Sequence, residues 1–119
     1  MPQDVEEQVA QSAEVVEQNL AIGDRVHEPR PIDHLAGFRT RRAAEAAGQE
    51  LEAAGYRIDG LRRRFLVVWL EFSAITAVDH GSAAAFTREV VGIVNRHGGT
   101  YDGWGGFVLT GDAEDDADG

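Results

Sequence analysis

The chain has 119 residues, 21 acids against 11 basic residues, no cysteine, and a formal net charge of −10. The absence of cysteine excludes disulfides and thiolate metal sites, and because all eleven basic residues are arginine, lysine-based catalysis is excluded too. The length suits one domain with one modest core. No run is apolar enough to span a bilayer and no stretch resembles a signal peptide, so a soluble, cytoplasmic protein is expected, with no membrane partner.

Asp4 opens a helical pattern in which Val5, Val9, Ala13, Val16 and Leu20 share one face. Asp4 can cap it, Glu7 stands at capping-box spacing, and Gly23 ends it. The valine stripe can dock on the domain or pair with another copy, which makes a homo-oligomer through this helix one expectation. Pro29 and Pro31 oppose regular central pairing where they stand, because proline donates no ladder hydrogen bond. Ile32 to Phe38 then reads as a strand. Thr40 caps a second helix with Ala43, Ala46 or Ala47, Leu51 and Ala54 inward, and Gly55 stops it. Tyr56 and Ile58 begin a short strand, and "DGLRRR" reads as a turn.

"FLVVWLEF", Phe65 to Phe72, is the strongest strand signal. Leu66, Val68, Leu70 and Phe72 form its wholly apolar side, assigned to the helices; Phe65, Val67, Trp69 and Glu71 form the other. Asp79 or Ser82 caps a third helix carrying Phe86, Val90, Ile93, Val94 and His97 on one side, ended by Gly98 and Gly99. Thr100 to Leu109 is a last strand, bent or bulged at its glycines. The order is βαββαβ after one helix, which predicts an α+β, ferredoxin-like sandwich. Its two helices cover one sheet face; the N-terminal helix or a partner can cover the other.

The charge is uneven. Residues 1–25, the acidic helix, hold six acids against Arg25; residues 26–111, the domain body, hold ten acids and ten arginines; residues 112–119, a tail expected to be disordered, hold five acids. Such ends repel nucleic acid and attract basic partners, or simply keep the protein soluble. The tail lacks the glycine and final glutamate of a calcium loop. Arg62–Arg64 and Arg39, Arg41 and Arg42 could suggest a phosphate or RNA site, but the neutral body and acidic ends argue for solvated arginines and no direct nucleic acid contact. The four histidines show no metal-ligand spacing, and no metal or other cofactor is expected. Asp33–His34 with Ser73 or Ser82 could be drawn as a triad, without a nucleophile-elbow context.

"YDGWG", Tyr101 to Gly105, followed shortly by the acidic tail, resembles the end of the regulator of ribonuclease activity B (RraB-like) family, the inhibitors of ribonuclease E. "IDHL" at Ile32–Leu35 and "AAGY" at Ala53–Tyr56 extend the likeness upstream. The resemblance implies a non-enzymatic regulator that binds ribonuclease E or a related arginine-rich protein and lowers RNA cleavage. The expected contacts are an aromatic platform of Trp69, Tyr101 and Trp104 with Asp102 on the open sheet face, and the carboxylates Asp112, Glu114, Asp115, Asp116 and Asp118 as an electrostatic lure. From packing alone, Tyr101 and Trp104 read first as core residues, with Asp102 capping a turn. Two other readings stand beside this one: a ligand-binding or catalytic domain using Asp33, His34 and Asp102, and a homodimeric scaffold.

Overall fold

Seven elements follow one another in chain order: α1 (Val5–Ala21), β1 (Arg30–Phe38), α2 (Arg41–Ala53), β2 (Arg57–Arg64), β3 (Val67–Thr76), α3 (His80–Arg96) and β4 (Thr100–Gly106). The computed structural model describes residues 2–110. The strands form one antiparallel sheet in the order β2-β3-β1-β4, so the class is α+β.

Local chemistry sets the helix ends. Asp4 accepts from the backbone of Glu6 and Glu7, Thr40 from Ala43, and Asp79 from Ser82, each satisfying donors that a helix leaves unpaired. Gly55 and Gly98 follow α2 and α3 with φ of 103° and 72°, conformations that a side chain would oppose.

Alternation along the strands divides the sheet into two faces. Ile32, His34, Ala36 and Phe38 of β1 and Val68, Leu70 and Phe72 of β3 point to the helices and are buried. Ala44, Ala47, Gly48 and Leu51 of α2 and Phe86, Val90, Ile93 and Val94 of α3 meet them. Each fully buried leucine or phenylalanine of this layer contributes about 1.5–3 kcal/mol.

Several sequence expectations change. The β2–β3 turn is Phe65–Leu66, not Asp59–Arg64: β2 runs through those residues with an irregularity between Ile58 and Gly60. Leu66 is therefore 85% exposed rather than helix-facing. Strand β1 begins at Arg30 and includes Pro31. The proline is tolerated because β4 pairs β1 only from Ile32 onward, leaving that end of β1 open on one side. Strand β4 ends at Gly106 rather than Leu109. In α2, Ala44 and Ala47 are buried while Ala54 is exposed.

Helix α1 lies against α3, not across the second sheet face. Ser12 Oγ and Thr87 Oγ1 are 2.8 Å apart at the contact. Val16 is fully buried there, whereas Leu20 is exposed. The N-terminal approach is fixed by Gln3. Its side-chain amide takes the N–H of Tyr101 (2.7 Å) and donates to the Tyr101 carbonyl (3.0 Å), so it serves as one residue of a strand on the β4 edge.

Candidate functional site

The uncovered face carries Asp33 and Leu35 from β1, Trp69 and Glu71 from β3, and Arg57 from β2, as the alternation requires. Between β2 and β4 this face forms a groove of about 710 Å³ lined by Asp33, Leu35, Arg57, Asp59, Glu71 and Asp102, among others. Arg57 Nε lies 2.6 Å from Asp59 Oδ1, and Arg62 Nη2 lies 3.0 Å from Glu71 Oε2. Asp33 and Asp102 have no partner among the described residues. The groove thus holds four carboxylates around one apolar floor residue, Leu35, and its own arginines neutralise only two. Trp69 flanks it. The indole lies across β1 because its register partner is Gly37, where a Cβ would stand 3.0 Å from the ring.

The three aromatics expected to form a platform do not share a face. Trp69 stands on the open side. Tyr101 is buried on the helix side, its hydroxyl 2.7 Å from His34 Nδ1. Trp104 also faces the helices, because β4 shifts register opposite Leu35 and Ala36. That irregularity leaves Asp102 exposed at the groove and places Gly103 at φ 115°. Trp104 packs edge-to-face on Phe86 with centroids 5.2 Å apart, and its Nε1 donates to Ser12 Oγ at 3.0 Å. It ties α1, α3 and β4 together. Asp112, Glu114, Asp115, Asp116 and Asp118 lie outside the described residues.

Asp33 and His34, being neighbours in a strand, point to opposite faces. His34 is enclosed by Phe72, stacked at 5.1 Å, with Tyr56 and Phe86 edge-on. Burial pushes its imidazole down to about 4 and the Tyr101 phenol well above its usual range. Among the described residues the Tyr101 hydroxyl has no other acceptor, so we assign its proton to the bond with Nδ1. The imidazole proton then lies on Nε2, which is buried without a partner. Ser73 lies opposite Asp33 on β3, and the Ser82 hydroxyl donates to Asp79, so neither completes a triad with His34. His27, His80 and His97 each meet a different carboxylate, and no group of three metal-ligating side chains comes together among the described residues.

A buried ion pair escaped the sequence reading. Arg30 Nη1 lies 2.8 Å from both carboxylate oxygens of Asp24 and donates to the Phe107 carbonyl, while Nη2 donates to the Arg25 carbonyl. Asp24 also accepts from the N–H of Leu109. The pair joins the end of α1, the start of β1 and the segment after β4. Only the unusual Pro-Arg-Pro setting of Arg30 hinted at it.

The family described as "Regulator of ribonuclease activity B" (RraB) matches residues 9–106. The chain belongs to this family. The RraB match takes in most of α1 and the whole sheet, and therefore the open-face groove and the packed Trp104 alike. It ends with β4, so the segment from Phe107 and the acidic tail lie beyond it. The RraB family is one of regulators of ribonuclease activity. No curated protein matches the chain.

Proposed function

We propose that this chain is a non-enzymatic, cytoplasmic regulator that binds ribonuclease E, or an RNA-degradation assembly containing it, and inhibits RNA cleavage. We read its βαββαβ body, residues 26–111, as a ferredoxin-like sandwich whose uncovered face is the binding surface. The observation that carries this reading is the groove, in which Asp33 and Asp102 stand without counter-charge among the described residues, beside Leu35 and Trp69. Such a surface suits an extended segment whose guanidinium groups meet the carboxylates while its aliphatic stems lie on Leu35 and the indole. Trp69 is the aromatic anchor; Tyr101 and Trp104 support the surface from beneath. The five carboxylates from Asp112 to Asp118 raise the rate of encounter more than the affinity. Occupied arginines are then unavailable to RNA or to partner enzymes.

The test is retention of ribonuclease E from a lysate of the source cell at low and at high salt, by the full chain and by a chain ending at Thr110. Retention at low salt that weakens with salt supports the reading. A partner retained equally at all salt concentrations contradicts it.

A further inference from the structure

Strands β2 and β4 lie at the two edges of the sheet, and the edges are guarded differently. Along β2 stand Arg57, Asp59 and the arginines from Arg62 to Arg64, charged side chains of the kind that discourage a further strand. Beyond Asp102, β4 reads Gly103-Trp104-Gly105-Gly106 and carries no charge.

Gln3 shows which backbone groups of β4 face outward. Its side chain accepts from the N–H of Tyr101 and donates to the Tyr101 carbonyl, so both groups point away from β1. Residues of an antiparallel strand point alternately towards and away from a given neighbour. On β1 the partners of Tyr101, Trp104 and Gly106 are Ala36, His34 and Ile32, every second residue. Trp104 and Gly106 therefore direct their N–H and carbonyl groups outward as Tyr101 does. Among the described residues nothing bonds to them on that side.

The open face beside this edge is bare. Gly103 and Gly105 stand opposite Leu35 and Asp33, and a Cβ added at either glycine would meet no atom within 4 Å. A side chain from a fifth strand can thus cross β4 into the groove. The distance to β1 is two strand spacings, about 10 Å, which suits a long side chain. Asp33 and Asp102, neither with an ion pair among the described residues, select a cationic one.

We propose that an arginine-bearing segment of the partner adds to β4 as a fifth strand. Its backbone pairs with Trp104 and Gly106, and its alternate side chains pass over Gly105 to Asp33 and over Gly103 to Leu35 and Asp102. The partner is then read by spacing as well as by charge: an extended Arg-x-Arg, since residues on one face of a strand are two apart. Gln3, already paired with Tyr101, marks one end of the added strand. The arginine content of the partner rests on the ribonuclease reading above; the open edge does not.

Amide exchange of the full chain at low salt tests it, with the capped peptide Arg-Val-Arg-Val-Arg as probe. The peptide should slow exchange at Trp104 and Gly106 at least tenfold. The same peptide N-methylated at every residue keeps its charges but cannot donate to a ladder, and should bind at least tenfold more weakly. Gly105→Val blocks the way to Asp33, and should weaken binding of the unmethylated peptide at least tenfold. Equal denaturation midpoints check that this variant is folded; with unequal midpoints the methylated peptide decides. Unchanged exchange at Trp104 and Gly106, equal binding of the methylated peptide, or equal binding by a stable Gly105→Val would each overturn the proposal. The two readings fail separately. Ribonuclease E retained from a lysate but leaving both amides unprotected overturns the strand pairing alone. Protection by the peptide without retention of ribonuclease E supports the pairing and overturns the ribonuclease reading alone.

Discussion

The hydroxyl of Tyr101 and Nδ1 of His34 lie 2.7 Å apart in the core, joining β4, which edges the open-face groove, to β1, which runs along its floor. One side chain from each strand is thus locked beneath the surface while Asp33 and Asp102 are displayed above it. Removing the hydroxyl with Tyr101→Phe leaves both imidazole nitrogens unpaired, at an expected cost of about 1–3 kcal/mol. Urea unfolding at pH 7 measures this. A midpoint equal to that of the parent would show that the bond contributes nothing.

The same histidine makes stability depend on pH. Its folded value, about 4, lies below the ordinary value of 6.5, so the unfolded chain binds more protons between the two. The stabilisation from a neutral His34 is complete above about pH 6.5, falls as pH drops towards 4, and changes no further below that. The loss amounts to about 3 kcal/mol across the window. Replacing both partners, His34→Phe with Tyr101→Phe, should remove this component while leaving the carboxylate titrations. Unfolding free energies at pH 7, 5.5 and 4.5 decide; parallel curves for parent and double variant would refute the assignment.

Asp24 and Arg30 form the other buried polar anchor, with side chains nearly inaccessible to solvent. Asp24→Ala strands the guanidinium without its carboxylate and should cost about 3–5 kcal/mol. Amide exchange should quicken at Arg25 and Leu109, whose N–H groups join the two segments. Slow exchange at both in the variant would show that Arg30 holds them without its partner.

Trp104 and Ser12 test how α1 is held. Ser12→Ala removes the acceptor of the indole N–H and the partner of Thr87, and should lower stability by about 1–3 kcal/mol. An unchanged denaturation midpoint would mean that apolar packing alone seats the helix.

Much of the fold could be read from residue patterns. Asp4, Thr40 and Asp79 signalled the helix starts by their chemistry, and Val68, Leu70 and Phe72 signalled the buried side of β3 by their period. The β2–β3 turn was not legible. Turn chemistry pointed to Asp59 and Gly60, whereas Phe65 occupies a position that sequence rules give to glycine. The site was legible only in part. Strict alternation from Tyr101 puts Trp104 on the face opposite it, and one irregularity in β4 returns the indole to the helices. Such shifts depend on the partner strand, which local sequence does not reveal. The groove itself is tertiary: Asp33, Asp59, Glu71 and Asp102 are scattered through the chain and meet only in the sheet.

The most direct test of the groove's role is RNA cleavage by purified ribonuclease E with its arginine-rich segments, measured against increasing amounts of the chain and of an Asp33→Lys, Asp102→Lys variant. Both positions are exposed, so the variant should keep its folded stability to within about 0.5 kcal/mol. The expected result is inhibition by the parent that weakens with salt, and inhibition at least tenfold weaker by the variant. Equal inhibition by both would place the contact elsewhere and contradict the account.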